Sequence, residues 1–230
     1  MSSSQLAERI NELLVSAEKK IYLRDSDGAI EDLRAAEVLD SANPVVLYNL
    51  AAAYAKDGLH RTAIEYADKV LSLPSAFVDA MKVRRMKAYS LSMLNRYGEA
   101  ELILKEIIAA VPADSCALSM LGFVYEKTDR VKDAVDCYRR AVSFEKANAT
   151  SLNSLAYIMA KSGGDMNGAL QLAKKALDAD PENPAYLDIL GYIYMKRGEN
   201  DMARKYIKKA YEKLPANEEI KQHLNELLRL

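Results

Sequence analysis

Residues 184–210 read Pro184-Ala-Tyr-Leu-Asp-Ile-Leu-Gly-Tyr-Ile-Tyr-Met-Lys-Arg-Gly-Glu-Asn-Asp-Met-Ala-Arg-Lys-Tyr-Ile-Lys-Lys-Ala210. Two segments with apolar residues three or four apart flank the polar turn Arg197-Gly198, the pattern of two helices joined by a short loop. Gly191, Ala203 and Ala210 are small where their neighbours are large. Small side chains let helix backbones approach closely, so these three positions mark where the helices cross.

Working outward, the same register recurs along the chain. Alanine stands at Ala29, Ala63, Ala100, Ala134, Ala169 and Ala203, at spacings of 34, 37, 34, 35 and 34 residues. Seven positions beyond come Ala36, Val70, Ile107, Ala141, Ala176 and Ala210. Twelve before stand Ala17, Ala51, Ala88, Gly122 and Gly191, with Ala156 one residue further off. Larger apolar residues fill the spaces between: Leu50, Leu121, Leu155 and Leu190 precede the first small column, and Leu33, Leu104, Tyr138 and Ile207 follow the alanines by four. Asp57-Gly58, Asn95-Arg96, Thr128-Asp129 and Gly163-Gly164 repeat the turn, and Pro112, Pro181 and Pro215 end second helices. Each unit reads as a helical hairpin.

Composition bounds the function. Half the residues are apolar and 28% are charged, as in a packed globular chain, and 32 Lys+Arg against 33 Asp+Glu leave a formal charge of -1. That balance removes the general pull onto nucleic acid or acidic lipid, leaving only local patches such as Lys82–Lys87 and Arg204–Lys213. No basic segment followed by an apolar run opens the chain, and nowhere do 18 apolar residues run together, so a cytoplasmic protein without membrane contact is expected. Cys116 and Cys137 are isolated thiols, in keeping with a reducing compartment, and Asn148-Ala149-Thr150 reads as a chance glycosylation triplet.

The period, the Leu190-Gly191 pair, Tyr194, the alanine column, Tyr206, Ala210 and Pro215 together resemble the tetratricopeptide repeat, a helix-turn-helix unit of about 34 residues. The wording of the last two units is similar to bacterial members. The resemblance implies an all-α fold: a right-handed superhelical solenoid of six units with first helices on the concave side and second helices on the convex side. One domain, 1–230, is expected, with units near 10–43, 44–77, 81–114, 115–148, 149–183 and 184–217 and a capping helix over 218–230. Ser16 and Lys20 take normally apolar slots in the first unit, which suits an end repeat with no neighbour to cover it. The RNA-reading pentatricopeptide class shares the period but calls for a basic surface and polar code residues.

The resemblance makes the first-helix face the candidate binding groove. The residue directly after the first small column is Glu18, Ala52, Tyr89, Phe123, Tyr157 and Tyr192, four aromatics in succession. These rings either fill the space between adjacent first helices or form a ladder facing a ligand. Around them the expected inner surface carries Tyr48, Asn49, Lys82, Arg85, Met86, Met120, Glu126, Asn153, Asp188 and Met195. Amides there can pair with a ligand backbone while rings and methionines take its apolar side chains. Lys56, Lys127, Lys161 and Lys196, one turn further on, read as solvated helix ends favoured by the helix dipole. His223 reads as a flank of the packing face of the last helix.

Unit three departs from the pattern with Lys82, Arg84, Arg85 and Lys87, either a patch for an acidic partner or a locally altered stacking geometry in which carboxylates pair the charges. The clamp with which cochaperones of this family hold a C-terminal Glu-Glu-Val-Asp tail is incomplete. Asn49 and Lys82 match it, but Leu14, Glu18 and Met86 occupy its other positions, and Glu18 would repel the tail. The asparagine ladder of sugar-transferring members is absent too. His60 and His223 are the two histidines, no glycine-rich phosphate loop occurs, and no catalytic residue, metal site or cofactor is expected. The sequence therefore points to a non-catalytic scaffold that binds a peptide or helix of another protein in its groove. The alternative is a self-association or assembly module using the convex face or the basic third repeat.

Overall fold

The computed structural model describes residues 2–74, 78–144 and 148–229. Residues 75–77, 145–147 and 230, which the expected repeat limits include, lie outside the described residues. Every element among the described residues is a helix: α1 (Ser3–Tyr22), α2 (Ser26–Leu39), α3 (Pro44–Lys56), α4 (His60–Ser72), α5 (Ala80–Met93), α6 (Tyr97–Ala110), α7 (Ser115–Lys127), α8 (Val131–Ser143), α9 (Ala149–Lys161), α10 (Met166–Ala179), α11 (Pro184–Lys196), α12 (Asn200–Lys213) and α13 (Glu218–Leu227). The first helix begins at Ser3, ahead of the expected start of the first unit near residue 10. Packing divides the chain into two compact units, Met1–Ala110 and Val111–Leu230.

The helices form where the small-residue columns require. Ala29, Ala63, Ala100, Ala134, Ala169 and Ala203 are all buried, as are Ala17, Ala51, Ala88 and Ala156 from the first column. At Gly191 an added Cβ would lie 2.6 Å from Ile207 and 3.0 Å from its backbone nitrogen, so α11 and α12 touch there backbone to backbone. Each hairpin turn holds one residue in the left-handed region: Arg24, Gly58, Asn95, Asp129, Gly163 and Gly198.

Another column sets where the hairpins start. Asn43, Asp79, Asp114, Asn148, Asn183 and Asn217 each accept a backbone N–H at the start of the next first helix. These caps satisfy donors that a helix start leaves unpaired, about 1 kcal/mol each. Asn148, which also opens the apparent glycosylation triplet, is one of them.

Within the first unit, α3 packs on α2, and α5 on α4 and α3; within the second, α9 packs on α8 and α7, α11 on α10 and α9, and α13 on α12 and α11. α3 thus touches α5 in the first unit, and α7, α9 and α11 touch in succession in the second. In the first unit the odd polar residues are matched: Ser16 Oγ donates to Asp32 Oδ2 at 2.6 Å and Lys20 Nζ lies 2.8 Å from the same oxygen. Burial pushes the Asp32 carboxyl up, but Lys20 and Ser16 outweigh it and hold the group below its ordinary value. Lys87 of the basic third repeat is likewise paired, with Asp68 on α4.

Candidate functional site

In the second unit, Phe123 on α7, Tyr157 on α9 and Tyr192 on α11 occupy the same turn of successive first helices. Each is followed four residues later by a lysine, one turn along the helix, which brings the ammonium over the ring. Lys127 Nζ stands 5.3 Å from the Phe123 centroid, Lys161 5.3 Å from that of Tyr157, and Lys196 5.0 Å from that of Tyr192. Three of the four lysines read as solvated helix ends, Lys127, Lys161 and Lys196, are exposed and also lie over a ring of the row. Tyr157 and Tyr192 lie 5.7 Å apart, so the rings also touch one another.

The row is open at one end and covered at the other. Phe123 and Tyr157 are half-buried. Tyr192, expected on the open wall, is only 7% exposed because His223 of α13 lies over it with ring centroids 4.5 Å apart. His223 is more than a flank of a packing face: its Nδ1 lies 2.8 Å from Asp188 Oδ2, and both side chains are buried. Asp188, also expected on the open surface, is 2% exposed. Burial pushes its carboxyl above the ordinary value, while the bond to His223 opposes the shift.

Beside these rings a cavity of about 190 Å³ opens between α7, α9, α11 and the start of α13. Its polar wall is built from Glu126, Asn153, Asp188 and Glu219, and its apolar wall includes Phe123 and Tyr157. Asn153 is 9% exposed, and its Oδ1 has no hydrogen-bond partner; nor has Oδ1 of Asp188. Glu126 is held above the usual carboxylate range by burial, with Lys161, 3.7 Å away, and Lys127 opposing. Burial and the neighbouring Glu219 carboxylate push the Tyr157 phenol up as well.

The remaining predicted residues are spread over both units. Met120 on α7 is half-buried. In the first unit Tyr48 and Met86 are half-buried against the apolar core. Asn49 borders a cleft with Leu14 and Glu18. Arg85 is half-buried and Lys82 is exposed. Tyr89 is 45% exposed with its ring edge-on to His60, centroids 5.7 Å apart. The structure brings Phe123, Glu126, Asn153, Tyr157 and Asp188 together around one cavity, adds Glu219 to its lining, and sets His223 behind it against Tyr157 and Tyr192. For His223 a signal existed: it stands three after Ile220 and four before Leu227, on the buried stripe of α13.

The fold and this face define an all-α helical repeat solenoid. Two family models match in tandem: "Psidin, N-terminal TPR repeats region" over residues 54–163 and "Tetratricopeptide repeat" over 160–218. The chain belongs to the tetratricopeptide repeat family. It is 28% identical over 147 residues to the TPR repeat-containing protein PA4667 of Pseudomonas aeruginosa, a match covering 64% of this chain and 25% of that one. The chain therefore spans about a quarter of that curated relative's length. Among solved structures, the APC/C hetero-tetramer Cut9-Hcn1 superposes with a TM-score of 0.79 at 14% identity, over 99% of this chain and 46% of the other. YrrB, described as a TPR protein with an unusual peptide-binding site, matches with a TM-score of 0.53 at 19% identity, over 84% and 97%. Proteins of this fold mediate protein–protein interaction and generally serve as non-catalytic scaffolds. No described helix is long and apolar enough to cross a membrane.

Proposed function

We propose that the chain is a non-catalytic adaptor whose first-helix face in the second unit holds a peptide or helix of a partner protein. The carrying observation is the pair of half-buried rings, Phe123 and Tyr157, bordering a cavity with buried polar groups. Rings in this setting offer large contact area at small entropic cost, the composition of an anchor-type interface. A peptide-binding site in the structural neighbour YrrB is in keeping with this reading. Lys82, Arg85, Tyr89, Tyr48, Asn49, Met86 and Met120 remain candidate contacts within the same proposal, as does a cytoplasmic setting suited to the unpaired Cys116 and Cys137.

The test places a photo-crosslinking phenylalanine analogue at position 123, on α7, or at position 174, on α10, in the native cell. The expected result is a partner captured from 123 and lost with Phe123→Ala plus Tyr157→Ala in a chain whose circular dichroism is unchanged. Capture from 174 alone, or capture that survives the double substitution, overturns the groove. A second copy of the chain captured from 174 would instead support self-association through second helices.

A further inference from the structure

The cavity beside Phe123 and Tyr157 has a lopsided chemistry. Its lining holds three carboxylates, Glu126, Asp188 and Glu219, against one ammonium, Lys127. Lys127 is drawn over the Phe123 ring, and Lys161 is shared between Glu126 and the Tyr157 ring. The unpaired atoms within it are acceptors: Asp188 Oδ1 and Asn153 Oδ1 belong to side chains more than nine-tenths buried, and neither has a donor. Leaving such atoms unpaired away from water is costly, so two of them on residues that line one cavity mark a place that an incoming donor completes.

From this geometry we infer that the cavity is a receptor for the guanidinium of an arginine side chain carried by the partner segment. The inference rests on the groove reading above and deepens it. An anion is repelled by the three carboxylates. A lysine head offers three donors as a compact, strongly hydrated charge. A guanidinium offers five donors in a planar fork that meets several acceptors at once and stacks on aromatic faces such as those of Phe123 and Tyr157. About 190 Å³ suits one side-chain head rather than a helix, so the arginine is an anchor within a longer contact.

The test selects peptides from a randomised display library on the full chain. The expected outcome is convergence on an arginine, with arginine-to-citrulline exchange in the selected peptide weakening binding at least tenfold by calorimetry. Citrulline keeps the shape and loses the charge. On the protein side, Glu219→Gln, at an exposed first-turn residue of α13, and Glu126→Gln should together weaken the arginine peptide at least tenfold while leaving the citrulline peptide nearly unchanged. Peptides without arginine, or citrulline bound as tightly, overturn the arginine receptor and leave the groove standing. Agmatine bound as tightly as the peptide overturns it in favour of a small-molecule site. A library that yields no binder overturns both readings.

Discussion

His223 and Asp188 are joined at 2.8 Å across α13 and α11, 35 positions apart in sequence, with neither side chain open to water. The bond ties the last helix to the hairpin below it. His223→Leu leaves a buried carboxyl without its donor, and the expected loss is about 3 kcal/mol of unfolding free energy by urea titration. Asp188→Leu combined with His223→Leu removes both polar groups and should recover most of that loss. Equal damage from the single and double variants would mean that packing, not the bond, fastens α13.

Glu126 supplies a pH dependence whose direction is set by burial. Its folded carboxyl binds protons more tightly than the unfolded one, so folding is favoured below the ordinary value of 4.5 and loses that contribution as pH rises through the raised folded value. Glu126→Gln should therefore be more stable than the parent at pH 7 in thermal unfolding, with the gap closing below pH 4.5. A gap that widens on acidification would contradict this sign.

Gly191→Ala sets two effects against each other. Alanine gains about 0.5–1 kcal/mol in helix propensity, but its methyl group would press on Ile207 and come within 3.2 Å of the Ala203 carbonyl, and backbone atoms cannot swing away. Overpacking should win, with a net loss of about 1–3 kcal/mol in chemical denaturation. An unchanged midpoint would show that α11 and α12 can part without cost.

The hairpins were legible because Ala29, Ala63 and their successors must be small to let helices cross, a constraint written in residue size and spacing. The capping column from Asn43 to Asn217 is just as periodic in the sequence, but Asn and Asp suit turns as well as helix starts. The spacing of Phe123 and Lys127 also held the ring contact, since residues four apart meet on a helix, yet a lysine near a helix end has an equally good reason to face water. Tyr192 and Asp188 could not be placed from their own repeat. What covers them is His223, from a helix beyond the last full hairpin, and the period says nothing about which face such a helix lies against.

The covering of Tyr192 gives the ring row of the second unit a blind end. A strand threaded along Phe123 and Tyr157 meets α13 as a doorstop, so it must finish or bend outward there and cannot slide onward to a new register. Within the second unit, travel past Tyr192 is stopped by α13.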